Sequence, residues 1–427
     1  MRVLARAVLF SLTLAAVPAL AQPGTGTLRV ALTGTNSGTC GSVATPCQTI
    51  QQAVQLAVTG DQILVAGGIH VYNAAVANPC TSSLGAQAVV CVVNKDVTIR
   101  GGFSTADWVT ANPGANPTFF DGQTARRVVH VTQTASNQPP AGLTLTDVTV
   151  QNGRTVGANS GPDAATFAFG GGLLSDVTRL LVQRVTFTNN TALGGSTSAV
   201  YGGSGAGGGV AIRAAPAGTT LEDVTFTENI AQGGTGPTRG GFAVGGGLFV
   251  YDSEFLGVRL TFTNNQAIGG DTPGSGTDGS GFQGDALGGG VAFQIGSNAT
   301  VRGLTASGNV AQGGDANSSS GTAAGGFGGA VYAEGTTTTG FASNVTIFDA
   351  QMNQNLALGG TARNGGLAAG GAVMTFDATL LVDRSVATAN VALGGDGQGG
   401  AAGPAGGGGY YLTRFFTTDT ATVRHGV

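Results

Sequence analysis

Apolar and polar residues alternate with a period of two along most of this 427-residue chain, in short runs separated by glycine. The run Val182-Gln183-Arg184-Val185-Thr186-Phe187-Thr188-Asn189 is representative. Such alternation predicts strands with one buried face. Each run leads into the string Asn-x-Ala-x-Gly-Gly, which begins at Asn190, Asn229, Asn265, Asn309, Asn355 and Asn390. Counting back three and five residues from the asparagine gives Phe187 and Val185, Phe226 and Val224, Phe262 and Leu260. These side chains share a strand face and are expected to point inward. Thr186, Thr225, Thr261 and Thr305 occupy the position between, on an outer face that suits a β-branched hydroxyl.

After each asparagine comes a glycine-rich stretch of variable length. It closes in Gly-Gly and a small apolar residue, as in Gly208-Gly209-Val210 and Gly246-Gly247-Leu248, and Gly408-Gly409-Tyr410 opens a last unit. Regular strands with variable loops describe a solenoid, in which each coil contacts only its neighbours. Looser coils are read upstream at Ile63-Leu64-Val65, Val97–Phe103, Arg127–Val131 and Leu143–Val150. The fold predicted is all-β: a right-handed parallel β-helix of ten or eleven rungs, a rod ~50 Å long at ~4.8 Å per rung. A solenoid needs a cap over its first rung. Residues 49–58 read as that cap, a short helix opened by the capping box of Thr49 and Gln52 and ended at Gly60.

Composition narrows the class. Glycine numbers 77 and charged residues make up only 9 % of the chain, a pattern of many short strands joined by tight turns. The formal charge is −4, with no basic run, which argues against a nucleic-acid partner. Met1 to Ala21 has two arginines, a short apolar core and a small-residue exit, which is the form of an export signal. The organisation expected is therefore a signal over 1–21, an N-terminal segment with its helix over 22–60, and the β-helix over 61–427. No later apolar stretch is long enough for a transmembrane helix. Four early cysteines in an exported chain suggest disulfides, and local pairing, Cys40–Cys47 and Cys80–Cys91, brackets two polar turns. A zinc site has no matching Cys or His spacing, and Asp271, Asp315 and Asp396 are lone acids rather than a calcium-roll nonapeptide. No cofactor is called for.

The pairing of Gly-Gly-apolar with Phe-x-x-Asn, at Phe187–Asn190, Phe226–Asn229 and Phe262–Asn265, resembles the repeats of chlamydial polymorphic outer membrane proteins. Thr49-Ile50-Gln51-Gln52-Ala53 followed by Gly60-Asp61-Gln62-Ile63-Leu64-Val65 also looks like the start of many exported bacterial β-helix proteins. The resemblance implies a secreted or cell-surface scaffold, outer-membrane associated and adhesin-like, that binds a glycan or protein ligand without catalysis. Later coils depart from it, with Ala306, Met352 and Ala387 at the Phe position, and no barrel segment follows.

The alternative function is a polysaccharide-active β-helix enzyme. Glycoside hydrolysis usually needs two carboxylates on one cleft. Asp252 and Glu254 are the best sequence candidates, expected on one strand face, whereas His70 and His130 read as ordinary rung residues. The loops, rich in Gly, Ala, Ser and Thr, show no gathering of aromatic or basic groups. A further column, six residues before each asparagine, holds Arg184, Asp223, Arg259, Gly303, Asp349 and Arg384, with Asp147 one coil earlier. It predicts a ladder of alternating charge along the rod, with Arg424 as its next member. The last unit stops before its own asparagine repeat, so the chain is expected to be a truncated relative of a longer surface protein, or to stack end to end on a partner.

Overall fold

The computed structural model describes residues 26–80, 87–135, 137–138, 141–158, 167–197, 200–215, 218–273, 284–317, 321–335, 342–413 and 421–424. Residues 1–21, read above as an export signal, and His425-Gly426 lie outside the described residues. The chain forms an all-β parallel solenoid of about nine turns. Four sheets run along it: sheet I of 17 strands, sheets II and III of seven each, and sheet IV of nine. One coil passes through Leu248–Tyr251 in sheet IV, Glu254–Thr263 in sheet I, Gln266–Ile268 in sheet II and Ala286–Leu287 in sheet III. It then re-enters sheet IV at Val291–Gln294, in register with Leu248–Tyr251.

Corners are made by single residues in left-handed backbone, repeated coil after coil. Sheet I bends at Asp147, Arg184, Asp223, Arg259, Gly303, Asp349 and Arg384, all at positive φ. The charge column therefore sits on a bend, not on a flat strand face. Its members still meet between adjacent coils. Arg184 pairs with Asp147 at 2.7 Å, Arg259 with Asp223 at 2.5 Å and Arg384 with Asp349 at 2.8 Å. Arg424 does not extend the ladder, because it registers with Asp383, one residue short of the column.

Inside, Phe187, Phe226 and Phe262 stack at centroid distances of 5.3 and 4.6 Å, where the alternation placed them. Asn190, Asn229, Asn265, Asn309 and Asn355 are fully buried. Each donates from Nδ2 to Oδ1 of the next asparagine, at 2.8–2.9 Å, through to Asn390. The same Oδ1 accepts a backbone N–H of the preceding coil, so a buried amide is satisfied on both sides.

Helix α1 (Ile50–Leu56) has Thr49 as N-cap, accepting from the Gln52 N–H at 3.3 Å. Along the chain it stands where a sheet IV strand would precede Gln62–Ala66, and it packs on Val90–Val93, the first sheet IV strand. Gln51 accepts the Cys91 N–H at 2.7 Å, a donor that has no strand beyond it. Lys95 donates to the Val54 and Ala57 carbonyls at the helix end. Disulfides join Cys40 to Cys47 and Cys80 to Cys91.

Candidate functional site

Sheets III and IV meet at a bend of three small residues, Gly245-Gly246-Gly247 in one coil and Gly288-Gly289-Gly290 in the next. Gly245 has φ +61°, and a Cβ there would fall 2.1 Å from the Leu248 carbonyl oxygen. Only glycine allows a corner this tight. Its consequence lies outside the core. The outward side chains of the two sheets face each other across the bend and close into a lateral groove of about 1040 Å³.

The groove floor comes from both walls. Sheet III contributes Val244, Leu287 and Phe327, and sheet IV contributes Phe249, Tyr332 and Met374, all nearly inaccessible to water. Phe169, Phe242, Tyr251, Leu367, Phe376 and Tyr411 form a half-buried rim. Rings of different coils stack across the corner, as Phe169 does on Phe249 at 6.1 Å. On sheet I the matching outer positions hold threonine. Sheet II also carries outward apolar residues, such as Ile230 and Ile268, but only at this corner do aromatic and aliphatic side chains of two sheets close over a cavity, which marks a binding surface rather than a solvated wall.

Few polar groups enter the groove, and most are already engaged. Arg213 is held by Asp176 at 2.8 Å and lies over the Phe169 ring. Asp285 accepts the Gly325 N–H at 2.7 Å, and burial pushes its pKa up to about 7 against the pull of the Arg239 charge. Glu334 accepts from Gln294 at 2.5 Å and from the Tyr332 hydroxyl. Burial raises it to about 7 as well, with the Asp377 charge adding to the shift. Arg239 differs. Its guanidinium rests 4.9 Å from the Phe242 ring centroid, its Nε has no hydrogen-bond partner, and it makes no ion pair among the described residues.

The sequence candidates lie elsewhere. Asp252 occupies the bend between sheets IV and I, with φ +45°, while Glu254 begins the next strand and accepts from Asn298. The bend takes Asp252 out of the strand, and both carboxylates are exposed on either side of the buried Ser253. Asp252 lines a smaller hollow beside Val177, Arg179 and Ala214. His130 is half-buried beside Arg127, and desolvation with the Arg127 and Arg213 charges pushes its pKa down to about 3. His70 bonds the Ala66 carbonyl at 2.8 Å. Asp271 and Asp315 each accept a backbone N–H from the next coil. The described residues contain no cluster of three His, Cys, Asp or Glu able to hold a metal ion.

The expectation that the glycine-rich loops hold almost no aromatic or basic groups is corrected here. Most groove aromatics do come from strand positions flanking the Gly-Gly bend, but Arg239, Phe242 and Leu367 come from the glycine-rich stretch before it.

No protein-family model matches the chain. No curated protein matches it either. Among solved structures, the chain is similar to one described as "Rhamnogalacturonan lyase", at 15 % identity and TM-score 0.27, covering 85 % of this chain and 68 % of that one. A second, described as "The complex structure of XylC with xylose", matches at 9 % identity and TM-score 0.25, covering 91 % and 70 %.

Proposed function

We propose that this protein is a secreted, cell-surface β-solenoid that binds an extended apolar ligand in the groove between sheets III and IV, without catalysis. The winding is right-handed, as parallel crossovers almost always are. Helix α1 serves as the lid of the first coil, supported by its Gln51 bond to the sheet IV edge. Exported β-helix proteins with similar repeats support the surface location, as do the two disulfides.

The observation that carries the binding role is the groove itself. Its floor is aromatic and aliphatic over several coils, and its acids are bonded to neighbouring protein groups rather than aimed into open space. The test uses Nile red, an uncharged apolar dye. The purified protein is expected to bind it saturably with one-to-one stoichiometry. The double variant Phe242→Asp/Phe376→Asp, which alters only half-buried rim positions, loses that binding while its melting temperature stays within a few degrees. Equal dye binding by both proteins would refute the groove as the site.

A second reading, a polysaccharide-active enzyme, is favoured by one observation. Asp285 and Glu334 both titrate near neutrality within the groove, as catalytic acids do. Release of new reducing or unsaturated ends from pectic or xylan polymers by the native chain, abolished in Glu334→Gln, would establish that reading instead.

A further inference from the structure

The groove's own chemistry limits what can occupy it. A sugar chain presents hydroxyls in every direction, and each one buried without a partner costs free energy. The walls supply few of those partners, chiefly the rim residues Tyr251, Tyr411 and Arg239. Asp285, Gln294 and Glu334 are bonded within the protein, and Arg213 is paired with Asp176. The remaining floor residues, from Val244 to Met374, offer hydrocarbon. An occupant must therefore be apolar over most of its length.

In the third of its seven coils the groove wall changes character. Arg239 lies in the same lateral wall as Phe242, half-buried, facing Asp285 at longer range but in no ion pair among the described residues. A partly desolvated, unpaired guanidinium favours an anion, and its planar fork matches a carboxylate. From the Phe169 coil to the Tyr411 coil the trough crosses six rung spacings, ~29 Å. Four of those spacings, ~19 Å, lie between the Arg239 coil and the Tyr411 coil, so the longer arm of the channel runs away from this cation on one side.

We propose that the groove takes a free, single-chain anionic amphiphile of the long-chain carboxylate class, with its tail along the aromatic floor and its head on Arg239. The inference rests on the groove being the binding site and adds the identity of the occupant. The two acids in the trough are compatible with it, since burial keeps them substantially protonated at and below neutral pH.

The experiment is displacement of Nile red from the full mature chain by dodecanoate below its micelle concentration. Dodecyltrimethylammonium and anionic phosphatidylglycerol vesicles serve as the other arms. Dodecanoate is expected to displace the dye at least tenfold more effectively than the cationic amphiphile, and the protein is expected not to sediment with vesicles. Arg239→Gln lowers the ratio of dodecanoate to dodecyltrimethylammonium affinity about tenfold, whatever its effect on the dye, with Arg239→Lys between it and wild type. Equal displacement by both amphiphiles, or an unchanged Arg239→Gln, would overturn the anionic-head assignment while leaving the groove in place. Sedimentation with vesicles without dodecanoate binding would assign the surface to a bilayer instead. Nile red binding that ignores the rim substitutions would sink the groove reading itself.

Discussion

Asp285 sits almost wholly buried at the groove wall, with Arg239 and Glu334 as the charges that face it. Its folded pKa, about 7, lies above the ordinary carboxylate value, so the folded state holds its proton more tightly than the unfolded chain does. Stability from this group is present at low pH and falls as pH rises from about 4 to about 7. His130 works in the opposite direction. Its depressed pKa makes the fold lose stability as pH drops below about 6.5. The total profile mixes both groups, and the difference between wild type and Asp285→Asn isolates the acid. We expect Asp285→Asn to gain stability relative to wild type between pH 5 and pH 8, measured as urea midpoints at each pH. A pH-independent difference would show that Asp285 is not protonated in the fold near neutrality. The same protonation keeps the trough uncharged, so anionic amphiphiles should bind more weakly at pH 8 than at pH 6.

The asparagine ladder belongs to the scale of the element, because no single coil can make it. Asn265 accepts both the backbone N–H and the side-chain N–H of Asn229, and donates to the Phe226 carbonyl and to Asn309. Asn265→Ala leaves these buried partners unsatisfied, at a cost of roughly 2–4 kcal/mol, since each orphaned group costs about 1–3 kcal/mol. The urea midpoint should fall accordingly, with hydrogen exchange quickening first in the coils around residues 226–231 and 265–268. An unchanged midpoint would show that the ladder adds no net stability.

Element by element, much of this fold was legible from residue types. The inward columns of Phe187, Phe226 and Phe262 followed from period-two alternation, and the start of α1 followed from Thr49 and Gln52. Sheets III and IV were harder to place. Ala286–Leu287 is a two-residue strand with no periodicity of its own. Counting from the asparagine loses register across the variable glycine-rich stretch. The groove was illegible for the same reason: Phe169 and Phe249 are 80 positions apart in sequence and meet only because the glycine bends fold two outer faces together. A usable signal was present. The pairs flanking the bends, such as Val244 with Phe249 and Phe327 with Tyr332, are apolar at outer positions where sheet I carries threonine. The alternation by itself would have made them solvent-facing.

For the whole molecule, the solenoid acts as a ruler. Each repeat from Asn190 onward adds one layer to the core, one asparagine to the ladder and wall residues to the groove. A site assembled this way is as long as the stack of coils that builds it, which suits a linear occupant better than a compact one. Asp252 and Glu254 lie outside that corner, in keeping with structural roles at a bend and a strand start. The account's central claim is that ligand occupies the corner of sheets III and IV. It is tested most directly by photolabelling the mature chain with a dodecanoate analogue carrying a diazirine in its tail, followed by peptide mapping. The account predicts labels concentrated in residues 242–251, 285–294 and 327–334, competed away by unlabelled dodecanoate. Labels spread over sheets I and II, or centred on the hollow beside Asp252, would contradict it.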